Sequence, residues 1–355
     1  MVDRILAVNP GATSTKIGYF ENDELVFNGE INYTVEELAK EGSIQEQYTL
    51  RFNDILDVLT ANKLAKGSLD AVVGRGGLLP PVKAGAYIVD DKILDFLKNE
   101  PILEHASNLG ASLAKGLATT YGVPGCPSYI YDPITVDQMD DVARVSGLES
   151  IERKSIAHVL NMRAVCMKVA EEELNQSYED SRLIVAHIGG GSSASVHREG
   201  RMVDVVADDE GFFSPERAGG LPMKEIIPLC YQYTEQEVLN MTRKNGGLVS
   251  YFGTNDAREV EELAHSGDKK AKIVLKALAY QVAKGIGQLA VVLSGSVDGI
   301  ILTGGLANSK YITGMIRKRV EFIAPVYLVP GEAELLALAK GARRVLRKEE
   351  EANVF

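Results

Sequence analysis

Leu69-Asp70-Ala71-Val72-Val73-Gly74-Arg75-Gly76-Gly77-Leu78 and Val297-Asp298-Gly299-Ile300-Ile301-Leu302-Thr303-Gly304-Gly305-Leu306 are two versions of one phrase. Each has an aspartate, an apolar run the length of a buried strand, and a closing Gly-Gly-Leu. A second shared feature precedes each copy. Ile5-Leu6-Ala7-Val8 breaks at Asn9-Pro10-Gly11 into a loop of small and hydroxyl residues, and the strand pattern resumes at residues 17–20. The apolar residues 183–188 lead in the same way through Gly189-Gly190-Gly191-Ser192-Ser193 into Ala194-Ser195-Val196. Two copies this far apart exclude a solenoid and predict a duplicated α/β domain, the copies facing each other across a cleft.

Helical patterns fill the intervals, at residues 34–40, 52–62 and 106–121. A longer amphipathic stripe carries Ile273, Leu275, Leu278, Val282, Ile286, Leu289 and Leu293 and reads as core packing. A last helix, 334–347, is expected to return to the first domain. The chain has 355 residues, about twice the commonest domain size. The expected division is 1–150 plus 331–355 for one domain and 151–330 for the other.

The net charge of -11 argues against a nucleic-acid partner, which needs a basic face. Three scattered cysteines, Cys126, Cys166 and Cys230, have no spacing for a disulfide framework or a zinc site and suit a reducing compartment. No apolar run approaches the roughly 20 residues of a membrane span, and the N-terminus enters a strand without a signal-peptide pattern. A cytoplasmic location with no membrane partner is the expectation.

Chemistry is concentrated in the loops. Asn9-Pro10-Gly11-Ala12-Thr13-Ser14-Thr15-Lys16 offers hydroxyls, amides and one lysine directly after a strand. It reads as a hydroxyl-rich turn or as a phosphate cradle. The triple glycine at 189–191 permits close backbone approach to a ligand, and Thr303-Gly304-Gly305-Leu306-Ala307-Asn308 adds a third glycine site, suited to a nucleoside. Arg75 between glycines and Arg217 in Ser214-Pro215-Glu216-Arg217 can clamp a carboxylate and a phosphoryl group. Asp132, after Tyr129-Ile130-Tyr131, and Asp204 read equally well as turn-forming aspartates. His105, His158 and His187 adjoin these segments, whereas His197 and His265 sit among polar residues.

These strings, with Glu104-His105-Ala106-Ser107-Asn108-Leu109-Gly110-Ala111, residues 140–147 and Arg153-Lys154-Ser155-Ile156, resemble the acetate and butyrate kinase family. The likeness is strongest to its butyrate kinases and runs along the whole chain. That family belongs to the superfamily of sugar kinases, heat-shock chaperones and actin. The resemblance implies two duplicated actin-like (ribonuclease H-like) α/β domains around a nucleotide-binding cleft, and a homodimer or larger homo-oligomer. It implies ATP/ADP and Mg2+, with a short-chain carboxylate and its acyl phosphate as the exchanging pair.

By the same resemblance Asn9, Ser14 and Lys16 belong to a first phosphate loop, and His187, Gly189, Gly190 and Gly191 to a second. Gly304, Gly305 and Asn308 would approach the adenosine. Arg75, Asp132, His158 and Arg217 would surround the transferred group, and Arg75, His105 and Asn108 the carboxylate. Glu334 would help hold magnesium, with Glu332 as competitor. Acetate, propionate and branched acids are the alternative substrates, and an actin-like nucleotide-driven binding protein is the distant alternative.

Overall fold

The computed structural model describes residues 2–355. The chain divides into two compact units: one runs to Asp137 and resumes at Ala333–Phe355, and the other is Gln138–Glu332.

The first unit is built on six strands, β1 (Arg4–Pro10), β2 (Ser14–Glu21), β3 (Glu24–Asn32), β4 (Ala71–Arg75), β5 (Ala86–Ile88) and β6 (Ser128–Tyr131), in the order β3-β2-β1-β4-β6-β5. β1, β4 and β6 run parallel, and β2, β3 and β5 pair antiparallel to their neighbours. The second unit contains β7 (Leu183–Ile188), β8 (Ser192–Arg198), β9 (Arg201–Val206), β10 (Gly299–Gly304) and β11 (Val326–Pro330), in the order β11-β10-β7-β8-β9. Read from the other edge, that is the order β3-β2-β1-β4-β6 with the same sense at every pairing. The duplication expected from the repeated phrase is thus present strand for strand, and β5 is an addition.

Central parallel strands are covered on both faces, so they are apolar throughout rather than alternating. All six residues of β7 and of β10 are buried. Ile184 and Ala186 face the 22-residue helix Lys269–Ala290 through Leu275, Leu278, Val282 and Ile286. Leu183 and Val185 turn the other way, onto Met162, Cys166 and Val169 of the helix Val159–Glu172. Ile273 departs from the expected stripe. It is 60% exposed, because a period of 3.6 residues places Val274, Leu275, Leu278 and Val282 on the buried side instead.

In the first unit Leu6, Val8 and Val72 pack on Ile55 and Leu59 of the helix Tyr48–Ala61 and on Leu109, Leu113 and Leu117 of the helix Leu109–Tyr121. The helix Glu334–Leu346 buries Ala337, Leu338 and Ala342, and its Gly341 lies so close to Tyr131 that a Cβ there would stand 2.5 Å from the ring.

The division between the units falls at 137/138, earlier than the expected 150/151, and at 332/333 rather than 330/331. The physical reason is local. Residues after 137 are tied to β9, where the Asp140 amide donates to Val203 O at 2.9 Å. Arg153 binds Asp204 at 3.0 Å and Glu210 at 2.9 Å. Asp204 is therefore a strand residue in an ion pair, not a turn former.

Candidate functional site

In the first unit the expected residues converge where β1 and β4 end. Asn9, the penultimate residue of β1, is 6% exposed, and its side-chain amide donates to Glu334 Oε2. Arg75, the last residue of β4, reaches the same carboxylate oxygen at 3.4 Å and Asn9 Oδ1 at 3.5 Å. Close packing sets this arrangement. A Cβ on Gly74 would lie 2.2 Å from Gly110 O, and one on Gly110 would lie 2.1 Å from Arg75 O, so only glycines let the helix meet the strand here.

His105 caps the 3-10 turn Ala106–Asn108, its Nδ1 accepting from the Ser107 amide at 3.1 Å. Burial, and then the neighbouring Arg75, lower its pKa, so the ring is held neutral. Asn108 is fully enclosed and spans main chain, its Oδ1 accepting from Leu78 N and its Nδ2 donating to Leu103 O, both at 2.9 Å. It braces the loop after Arg75. Leu109 and Ala111 belong to the core.

Asp132 follows β6 with φ +41°, an unusual conformation for a side-chain-bearing residue. Its Oδ1 accepts from Gly85 N at 2.8 Å. Ser14 and Lys16 begin β2, and register sets Lys16 opposite Asn9. The Lys16 ammonium stands 3.7 Å from Glu30 in a half-exposed pair, a weak interaction that a stronger anion displaces at little cost.

The hairpin turn holds a residue that no motif marked. Arg51, on the helix Tyr48–Ala61, is fully buried, and its guanidinium donates to the carbonyls of Gly11, Ala12 and Ser14. Its position, in the first turn of a helix and forty residues from the loop it serves, carries no local signal.

In the second unit His187, near the end of β7, stacks on His158 with ring centroids 3.9 Å apart. Asn161 fixes the tautomer of His187. Its amide donates to His187 Nδ1 at 3.0 Å and to Thr303 Oγ1 at 3.1 Å. The proton of a neutral His187 therefore sits on Nε2, which faces Glu332 at 3.1 Å. His158 Nδ1 lies 2.9 Å from Ser193 Oγ.

The Gly189-to-Gly191 turn is pinned by Ser214 Oγ, which donates to Gly190 O at 2.5 Å, and by the Glu216 amide at 3.2 Å. Arg217 lies against Gly191, where a Cβ would meet its Cζ at 2.9 Å. It pairs with the buried Asp208, which also takes Arg243 at 2.9 Å. Burial and then Arg243 lower the Arg217 pKa, and two guanidiniums on one carboxylate leave one net positive charge for an anion. This gives the loop after β9 a definite role, to supply Asp208.

Gly304 has φ +86° and exchanges hydrogen bonds with Gly331 at 3.2 and 3.0 Å. Gly190, Gly305 and Asn308 line a cavity of about 1040 Å³ together with Asn255, Arg258 and Glu261, three residues outside the expected motifs.

The expected residues thus form two groups. Asn9, Ser14, Lys16, Arg75, His105, Asn108, Asp132 and Glu334 belong to the first unit, and His158, His187, Arg217 and the glycines to the second. His197, read as lying in polar surroundings, is fully buried between Tyr178 Oη and Ser195 Oγ, both at 2.7 Å. Burial drives its pKa down to about 3, so it stays neutral.

Among the described residues no three His, Cys, Asp or Glu side chains gather as a metal cage. Magnesium needs none when phosphates and water complete its shell. Glu334 fits that use, because among the described residues only its Oε2 is engaged. All three cysteines are free, and no helix among the described residues is long and apolar enough to cross a membrane.

A family model described as the Acetokinase family matches residues 153–350. Among solved structures, acetate kinase of Porphyromonas gingivalis superposes with a TM-score of 0.80 at 18% identity, covering 97% of this chain and 100% of its own. Acetate kinase of Entamoeba histolytica gives 0.75 at 17%, with 96% and 99% covered. A propionate kinase from Francisella tularensis gives 0.74 at 18%, with 96% and 98% covered. At these identities the likeness establishes the two-domain actin-like fold.

Proposed function

The chain belongs to the acetokinase family, and from that premise we propose that it moves the γ-phosphoryl group of ATP directly onto butanoate, giving ADP and butanoyl phosphate. The carboxylate-kinase class follows from the family. The four-carbon acid is our reading of the sequence strings shared with butyrate kinases, and acetate or propionate is the alternative. The observation that carries the proposal is the grouping of Asn9, Arg75 and Glu334 at the carboxyl ends of β1 and β4, the end of an α/β sheet where ligands bind.

A short-chain acid is ionised at neutral pH, its pKa lying near ~4, so no base is needed to create the nucleophile. The obstacle is repulsion between that carboxylate and the γ-phosphate, and the chain answers it with cations and donors. Arg75 would take the carboxylate, with neutral His105 as a donor and Asn108 bracing their loop. His158 and Arg217 would stabilise the charge on the phosphoryl group in flight. Asp132 would orient a donor.

The first-hairpin residues, with His187 and the 189–191 turn, would hold the phosphates, and Gly304, Gly305 and Asn308 the adenosine. Glu334, with Glu332 as second candidate, would hold magnesium, which supplies charge neutralisation between the phosphates when bound. A homodimer is part of the proposal. It is supported by the helix Met223–Gln232, which buries none of its residues and exposes Met223, Ile227 and Tyr231 at successive turns.

The test is acyl-hydroxamate formation with ATP, magnesium and acids from formate to valerate, isobutyrate included. A maximum at four carbons is expected. A maximum at two or three carbons would move the substrate to acetate or propionate. No product with any acid, alongside ATP hydrolysis that ignores carboxylates, would favour a nucleotide-driven binding protein instead.

A further inference from the structure

Arg51 is a fully buried arginine with no carboxylate within ion-pair distance among the described residues. Burying an unpaired charge is costly unless every donor is satisfied and something nearby gains from the charge. The donors are satisfied. Nη1 serves Gly11 O, Ser14 O and Thr15 Oγ1, each at 3.0 Å, and Nη2 serves Ala12 O at 3.2 Å and Gln47 Oε1 at 3.0 Å. Nε bonds Gln47 Oε1 at 3.3 Å, and the Tyr33 ring lies 4.8 Å away. Every acceptor is neutral, so the positive charge remains uncompensated directly beneath the turn.

The turn is correspondingly one-sided. The carbonyls of Gly11, Ala12 and Ser14 point to Arg51, and that of Thr13 accepts from Tyr33 N at 2.9 Å. The amides of Ala12 and Thr13 take no partner among the described residues, and both residues are exposed. With four successive carbonyls drawn inward, the outward face of the loop presents N–H groups above a buried cation, a combination suited to phosphate oxygens.

We infer that Arg51 is the positioning residue of the first phosphate loop: it turns the loop carbonyls away from the nucleotide and lends the loop its positive potential without touching the ligand. The inference rests on the reading of residues 9–16 as a phosphate loop, and it assigns what that reading lacked, the device that makes the loop a donor surface.

The experiment compares full-length wild type with Arg51→Lys, Arg51→Met, Gln47→Leu and Lys16→Ala. It measures KM for ATP and for the best carboxylate, and equilibrium binding of ATP and of adenosine. Lysine keeps the charge but cannot fork to three carbonyls. The expected result is a rise in ATP KM of about tenfold or more in Arg51→Lys, a size set by the loss of hydrogen bonds to a charged group. Adenosine affinity and carboxylate KM should stay within about twofold, and Gln47→Leu should show a smaller rise of the same kind. If Arg51→Met does not fold, the lysine and Gln47→Leu variants carry the test alone.

A wild-type ATP KM in Arg51→Lys, while Lys16→Ala raises it, overturns the inference and leaves the loop reading intact. A loss shared equally by ATP and adenosine overturns it too, as mere structural damage. Wild type that binds ATP no tighter than adenosine, with Lys16→Ala silent, overturns the phosphate-loop reading itself.

Discussion

The two units hold the amino ends of their central strands with one device and have diverged at the carboxyl ends. Arg4 N and Nε bind Asp70 Oδ2 at 2.9 and 3.1 Å, and Arg182 N and Nε bind Asp298 Oδ2 at 2.8 and 3.3 Å. The aspartate amides return the bond to Arg4 O and Arg182 O, each at 2.8 Å. Five residues further on the equivalence of position persists but the chemistry changes. Asn9 stands where the second unit has His187, and Arg75 where it has Thr303. One pair meets Glu334, while the other meets Asn161, and His187 also meets Glu332. The end that registers the strands has been kept, and the end where ligands bind in such sheets has been free to specialise.

That contrast predicts unequal costs at equivalent sites. Arg75→Ala should lower kcat/KM by about a thousandfold, near 4 kcal/mol, since the carboxylate would lose both the cation that offsets its repulsion from the γ-phosphate and the group that orients it. Thr303→Val removes one acceptor from Asn161 and should cost about tenfold, on the scale of one hydrogen bond. Equal losses, measured in the hydroxamate assay with saturating and limiting acid, would break the division of labour.

The glycines after these residues sharpen the contrast in stability. A Cβ at Gly304 would stand 2.6 Å from Ile188 O with φ already +86°, and one at Gly76 would stand 2.5 Å from Pro133 Cα. Gly304→Ala should destabilise the second unit by about 2–4 kcal/mol through overpacking and backbone strain together, and Gly76→Ala somewhat less, through overpacking alone. Hydrogen exchange read separately on β10 and β4 checks both, since each substitution should loosen its own sheet first.

The sequence carried the fold because duplication leaves a redundant record. The Asp-strand-Gly-Gly-Leu phrase, the two hairpins and the apolar runs of β7 and β10 all survive as local patterns, and together they imply the observed strand order. The family strings likewise selected Asn9, Arg75 and Glu334, which meet, and His158 and His187, which stack. What stayed hidden depends on contacts between distant segments. Arg51 and Asn161 lie inside ordinary amphipathic helices, where nothing distinguishes a buried polar residue from an exposed one. The partnership of Asp208 with Arg217 and Arg243 needs two loops and the end of the helix Glu235–Arg243 at once. His197 looked exposed because Ser195, Arg198 and Glu199 flank it, yet strand alternation turns His197 and Ser195 together into the interior. Arg4 and Arg182 carry no local signal for a plainer reason: Arg4 opens β1 and Arg182 immediately precedes β7, each just outside the apolar run.

Those two arginines give the smallest predicted effect and the most direct test of common design. Asp70→Asn and Asp298→Asn keep size and one acceptor oxygen but remove the charge from each bracket. Both pairs are partly open to water, with side-chain exposures of 37% and 27% in one and 45% and 22% in the other, so screening limits each to about 1 kcal/mol. For Asp298, burial alone would raise the pKa, but the bonds from Arg182 outweigh it and the net shift is downward. A depressed carboxyl pKa contributes stability above the unfolded value, near ~4, that is lost as pH falls through the folded one. The difference between wild type and Asp298→Asn in urea should therefore be full at neutral pH and shrink below about pH 4. If the two brackets do the same work, the neutral-pH losses should agree within about 0.5 kcal/mol and add in the double variant, the sites being independent. A loss confined to one of them would show that the shared geometry outlived its shared purpose.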